Sequence, residues 1–165
     1  MKHAPARITA LLFLAVFLCL NFTTASACNE CLCFSDNTCS EDECLPGLTT
    51  NCTRNVFTPA CDGDYIFYSK VVCGSICPKC MSCVSIYKLT GGVEYFVADI
   101  HNNSCNVGVC ESSTLTVNMS NSQTYVMYVC KIPCPDGLST CESCSASCTA
   151  YGCIAHGLST TQCGP

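Results

Sequence analysis

The chain predicts a small, disulfide-rich, mainly β fold: an antiparallel sheet or small sandwich flanked by cysteine-stapled loops. Three observations predict it. Cysteine supplies 21 of 165 residues, well above the share of about 8–10% that marks a disulfide scaffold in a short secreted chain. Aromatic and β-branched runs crowd the centre of the chain, and glycine, asparagine and serine punctuate them, as strands and turns require. On either side of that centre, cysteines stand among polar turn formers with few large apolar residues between them.

Residues 1–27 read as a signal peptide. Lys2, His3 and Arg7 make a basic start, Ile8 to Leu20 is almost continuously apolar, and Ala25-Ser26-Ala27 is a small-residue cleavage site. That order is the secretory pattern. The apolar run is shorter than the roughly 20 residues that span a bilayer, and the Gly164-Pro165 end lacks the greasy tail of a lipid-anchor signal. The expectation is a secreted, extracellular product with no membrane span. Cutting after Ala27 removes Cys19, Lys2 and Arg7. Twenty cysteines then remain, and the acidic balance deepens from the −5 of the full chain. That balance argues against nucleic acid and anionic membranes as partners.

An oxidising compartment pairs thiols and keeps them paired. All twenty cysteines are therefore expected in bridges, with a connectivity that spacing alone does not determine. Each bridge restricts the unfolded chain and is typically worth about 2–4 kcal/mol, though the terms do not add. Even a fraction of their sum rivals the total stability of an ordinary domain, about 5–15 kcal/mol.

Residues 28–63 form a cysteine-rich loop region with short strands, holding Cys28, Cys31, Cys33, Cys39, Cys44, Cys52 and Cys61. Residues 64–132 form the antiparallel β region. Tyr65 to Val72 is rich in aromatic and β-branched residues. Val84 to Thr90 and Val93 to Ile100 flank Gly91-Gly92, a hairpin signal because tight hairpin turns need positive φ. Leu115, Val117 and Met119 alternate with Thr114, Thr116 and Asn118, the period of a strand with one dry and one wet face. Ser120 to Gln123 turns into Thr124 to Lys131, which is apolar on both faces and so reads as central. This region holds Cys73, Cys77, Cys80, Cys83, Cys105, Cys110 and Cys130. Residues 133–165 form a cysteine-rich C-terminal region, rich in serine, threonine and glycine, which reads as stapled loop around Cys134, Cys141, Cys144, Cys148, Cys153 and Cys163. The first two regions carry odd cysteine counts, so at least one bridge must leave each, and the three are not independent modules.

Three triplets fit the N-x-S/T acceptor pattern: Asn51, Asn102 and Asn118. Asn118 falls on the polar face of its strand, where a glycan would stay in water. Catalytic constellations are sparse. His101 and His156 are the histidines beyond the signal, and both read as surface residues. No G-x-S-x-G elbow is present. Glu41-Asp42-Glu43 reads as a solvated acidic run without EF-hand spacing. Cys77-Pro78-Lys79-Cys80 and Cys80-Met81-Ser82-Cys83 have the C-x-x-C form of redox or zinc sites, but no βαβ setting surrounds them. Neither a metal nor any other cofactor is expected, nor is enzymatic activity.

The opening Cys28-Asn29-Glu30-Cys31-Leu32-Cys33 resembles the C-x-x-C-x-C start of the C-type module of von Willebrand factor and of some small serine-protease inhibitors. The similarity ends at Cys33, and the later cysteines follow neither pattern.

What remains is action by contact. The expectation is binding to an extracellular protein or glycan, with the wet strand face around Thr114 and Thr116 as the candidate surface and the neighbouring tyrosines as core. Disulfide-held loops suit this, because they are ordered before contact is made. Two alternatives stand beside it. One is a serine-protease inhibitor presenting Arg54, Lys79 or Lys131 from a constrained loop. The other is a structural coat or matrix component. Sequence leaves the oligomeric state open.

Overall fold

The computed structural model describes residues 28–39, 51–73, 80–101, 113–134, 140–141, 144 and 148–164. Among these, eight strands run in chain order: β1 Glu30–Asp36, β2 Thr53–Phe57, β3 Gly63–Cys73, β4 Cys80–Thr90, β5 Val93–His101, β6 Ser113–Met119, β7 Thr124–Pro133 and β8 Cys148–His156. They form two four-stranded sheets, ordered β1-β8-β3-β6 and β2-β7-β4-β5, with every ladder antiparallel. The small disulfide-rich β sandwich is thus the observed fold. No helix among the described residues is long and apolar enough to cross a membrane.

The core lies between the sheets and follows the period-two rule of strands. Tyr65 and Phe67 of β3, Val117 and Met119 of β6, and Ala150 and Ile154 of β8 point inward from one side. Phe57, Val84, Ile86, Ala98, Ile100, Tyr125, Met127 and Val129 meet them from the other. Gly152 also faces this layer. A Cβ there would lie 2.6 Å from Val84 Cγ1, so the missing side chain is what lets the sheets close at that point.

The central runs settle as read. The Gly91-Gly92 turn takes φ of 59° and 81°, the left-handed values that glycine adopts without cost. β7 is flanked by β2 and β4 and is buried from Tyr125 through Ile132. At the β4–β5 edge the register slips between Ile86 and Tyr87, which pair with Ala98 and Phe96 and leave Val97 as a bulge. Bulges twist an exposed edge and blunt its pairing.

The C-terminal region departs from its reading as loop. It supplies β8, which lies between β1 and β3 and is one of the most buried strands. Residues of all three sequence regions therefore interleave in one body. Six bridges join described residues: Cys28–Cys61, Cys31–Cys163, Cys33–Cys153, Cys39–Cys141, Cys52–Cys130 and Cys80–Cys144. All but Cys28–Cys61 join different regions, as the odd counts require. Cys83 and Cys134 are also bridged. Cys73 carries a thiol hydrogen-bonded to Cys148. Cys44, Cys77, Cys105 and Cys110 lie outside the described residues.

Candidate functional site

The wet face predicted around Thr114 and Thr116 is one wall of an open groove of about 660 Å³. Thr116 pairs with Ile66 and Thr114 with Tyr68 across the β3–β6 ladder, so these side chains share the outer face of the first sheet. Ile66 lines the floor. Thr114, Leu115 and Thr116 make one wall, and Ser159 and Thr160, just beyond β8, make the other. Leu115 stands at the sheet edge, 42% exposed. The groove thus sets apolar surface between hydroxyl-bearing walls.

Covalent and polar ties hold the second wall in place. The segment after β8 folds back over the outer face of the first sheet, where Leu158 and Cys163 pack against Tyr68, Cys33, Cys153 and Ala155. Cys163 is bridged to Cys31 of β1, and the Tyr68 hydroxyl donates to the Cys163 carbonyl. Within the wall, Ser159 N–H and Oγ both donate to Gln162 Oε1, at 3.0 and 2.9 Å. Tyr65 and Tyr68 are buried, as expected of the tyrosines near this face.

Asn118 is exposed on β6, and its amide donates to Asp64 Oδ1 at 2.8 Å. Asn51 is exposed with φ of 63°, immediately before bridged Cys52. Asn102 and Glu41 to Glu43 lie outside the described residues. His101 closes β5. His156, expected in a loop, closes β8. Its Nδ1 is 2.9 Å from the Asp64 carbonyl, and its ring packs on Tyr65 with centroids 4.8 Å apart. The Tyr65 hydroxyl donates to Glu30 Oε2 at 2.5 Å, and burial together with that carboxylate pushes its pKa well above the usual phenol value.

The Cys80–Cys83 motif does not form a site, and Cys77 of the other motif lies outside the described residues. Cys80 and Cys83 belong to one strand and point to opposite faces, Cys80 toward Val71 and Cys144, Cys83 toward Cys130. An odd offset along a strand forbids a shared ligand or a mutual bridge. Cys31, Cys33 and Cys163 bring their sulfurs together within 4.8 Å. They are bridged as Cys31–Cys163 and Cys33–Cys153, so they offer no thiolate to a metal. Burial pushes the Cys73 thiol up to about 12, the opposite of the lowered value that a reactive thiol needs.

Two cations were poorly placed by sequence. Lys131, offered as a protease-directed residue, is fully buried. Its ammonium donates to the carbonyls of Asn37 at 2.6 Å and Cys148 at 2.9 Å. A buried charge survives only with such partners. Arg54 of β2 reaches Glu94 of β5 at 2.7 Å, although β7 and β4 lie between their strands. Tyr128 donates to the other Glu94 oxygen at 2.9 Å. This clasp belongs to an apolar row that the sequence reading missed: Val56, Val126, Tyr87 and Phe96 pair in register across the outer face of the second sheet. Its signal was present in the two-faced apolarity of β7.

Against known proteins, the chain matches no protein-family model and no curated protein.

Proposed function

We propose that this is a secreted, glycosylated, non-enzymatic protein that acts by binding an extracellular protein or glycan. The observation that carries the reading is the groove lined by Ile66, Thr114, Leu115, Thr116, Ser159 and Thr160. Hydroxyls beside apolar carbon suit the mixed polar and C–H surface of a sugar or an extended peptide. A wall tied down by Cys31–Cys163 adds little ordering cost on contact. The bridges support an extracellular setting, since disulfides persist where thiols are not kept reduced. The basic, apolar and small-residue order of residues 1–27 supports export.

The test is retention of labelled extracellular proteins and arrayed glycans by the immobilised mature protein. Saturable retention that is lost in Thr116→Arg, a variant whose long side chain fills the groove, is the expected result. Retention that Thr116→Arg leaves unchanged, or no saturable retention at all, removes the proposal. Of the three residues that suggested protease inhibition, Lys131 is buried, Arg54 is committed to Glu94 and Lys79 lies outside the described residues. A titration against trypsin checks that alternative directly.

The structural-component reading has one observation in its favour. Edge strand β5 exposes Val93, Tyr95, Phe96 and Val97, with Tyr95 55% and Phe96 52% accessible. Concentration-dependent assembly that Phe96→Lys abolishes would favour that reading over recognition.

A further inference from the structure

We propose that Cys73 and Cys148 are a latent cross-strand disulfide site, closed by exchange with a disulfide oxidant. The two residues sit directly opposite each other at the end of the β3–β8 ladder, and the register runs unbroken from Ile66↔Ala155 to Cys73↔Cys148. Directly opposed residues share a face, and both sulfurs belong to the cluster with Val71, Cys80 and Cys144. The Cys73 thiol already makes a hydrogen bond with Cys148.

The spacing of this pair follows from the ladder. In an antiparallel sheet, directly opposed residues alternate between narrow, non-hydrogen-bonded pairs, about 4.5 Å between Cα atoms, and wide, hydrogen-bonded pairs, about 5.5 Å. A residue turns its N–H and C=O toward one neighbouring strand only, so a position narrow on one side is wide on the other. Cys153 is narrow toward β1, with its Cα 4.2 Å from that of Cys33. It is therefore wide toward β3. Its immediate neighbour Gly152 is narrow toward β3, and alternation along β8 makes Ala150 and Cys148 narrow there as well. Cys73 and Cys148 thus occupy the same kind of pair that already carries Cys33–Cys153. Cys52–Cys130, one step beyond the Thr53↔Val129 pair and 4.5 Å apart, is a second example in this fold.

The chemistry needs one oxidant, a small-molecule disulfide such as oxidised glutathione. Cys73 is half-buried and Cys148 buried, so Cys73 is reached first. Its thiolate attacks one glutathione sulfur, forming a mixed disulfide and expelling a glutathione thiolate, which takes up a proton. Cys148 then loses its proton and attacks the Cys73 sulfur. That breaks the mixed disulfide, expels the second glutathione thiolate and forms the Cys73–Cys148 bond. Two protein thiols are oxidised and one disulfide is reduced to two thiols. Burial of the Cys73 thiol keeps its thiolate scarce, so closure is slow at neutral pH and accelerates as pH rises.

The experiment uses the mature chain folded in a glutathione redox buffer, which makes it independent of where the protein is exported or what it binds. The folded protein is unfolded in guanidinium without reductant, trapped with N-ethylmaleimide, digested and mapped by mass spectrometry. The expected result is a cross-linked peptide joining Cys73 to Cys148, with no maleimide on either. An adduct on Cys73 or Cys148, or a bridge from either to another cysteine, overturns the proposal. Cys73→Ser supplies a second readout. It leaves a maleimide-reactive thiol at Cys148 in the unfolded, unreduced protein, where the unaltered chain has none at that position; a variant in which Cys148 stays unlabelled also overturns it. Should Cys73→Ser fail to fold, the map of the unaltered chain decides alone.

Discussion

Replacing Gly152 with alanine adds one methyl group where the two sheets touch. The new Cβ would lie 2.6 Å from Val84 Cγ1, 2.9 Å from Met127 Sδ and 3.0 Å from Val129 Cγ2. Carbon atoms rest best at about 3.5–4.0 Å, so two valines and one methionine must give way. Met127 adapts easily. The valines are β-branched and stiff, and moving each about 30° off its rotamer costs about 0.5–1.5 kcal/mol. The packing penalty is therefore about 1–3 kcal/mol, the usual range for an overfilled core. Alanine recovers about 0.4–1 kcal/mol by restricting the unfolded chain. The net expectation is a loss of about 1–2 kcal/mol. Urea unfolding with the bridges intact reads it, through tyrosine fluorescence because the chain has no tryptophan. The midpoint should fall while the slope holds. Shrinking the neighbour with Val84→Ala should cost less in the Gly152→Ala background than alone, since the two sites touch. Gly91→Ala is the contrast: nothing lies within 4 Å of its Cβ, and its cost, about 1–2 kcal/mol, comes from the left-handed backbone alone. A Gly152→Ala protein as stable as the parent, or one indifferent to Val84→Ala, would refute close apposition of the sheets at β8.

Other expectations concern polar groups and bridges. The Tyr65, Tyr68 and Tyr128 hydroxyls all have pKa values raised, chiefly by burial. The folded state therefore holds protons that the unfolded state releases above about pH 10, so their contribution to stability is complete below that pH and is lost as pH climbs beyond it. Absorbance titration near 295 nm should show fewer than the seven tyrosines ionising around pH 10, with the remainder appearing together with unfolding. The Ser82 hydroxyl is fully buried and makes no hydrogen bond, so Ser82→Ala should leave stability unchanged or raise it by about 1 kcal/mol in the same urea assay. Complete reduction should abolish the β-sheet circular dichroism at 37 °C, because removal of even one native bridge from a small domain costs about 2–5 kcal/mol. A signal that survives reduction would mean that burial alone supports the sandwich.

How much of this was legible depends on which residues carry each strand. β3 to β7 show themselves through tyrosine, valine, isoleucine and the Gly91-Gly92 turn, and their bounds lie close to the runs read from sequence. β8 hid because its inward positions are Ala150, Gly152 and Ile154. Close approach of the opposite sheet selects small residues there, and small residues imitate a loop. β1 hid for a related reason. Leu32 and Phe34 turn toward the core, while Cys31 and Cys33 occupy the opposite face, where bridges replace the usual polar pattern. Half of the groove was readable, since Thr114 and Thr116 announce a wet face by alternation. Ser159 and Thr160 reach it through the Cys31–Cys163 bridge, and spacing alone does not reveal pairings. Lys131 was misplaced because a cation in an apolar run gives no sign of the carbonyls that await it.

The position of β8 constrains how the molecule can be made. β8 is synthesised long after β1, the strand that needs it, and Cys31 must wait for Cys163, 132 residues later, to close its bond. Until β8 emerges, β1 has neither its neighbour in the sheet nor its bond to Cys163. The earliest thiols are thus the longest exposed to wrong choices. The yield of assembly will depend on whatever corrects mispaired sulfur during that interval.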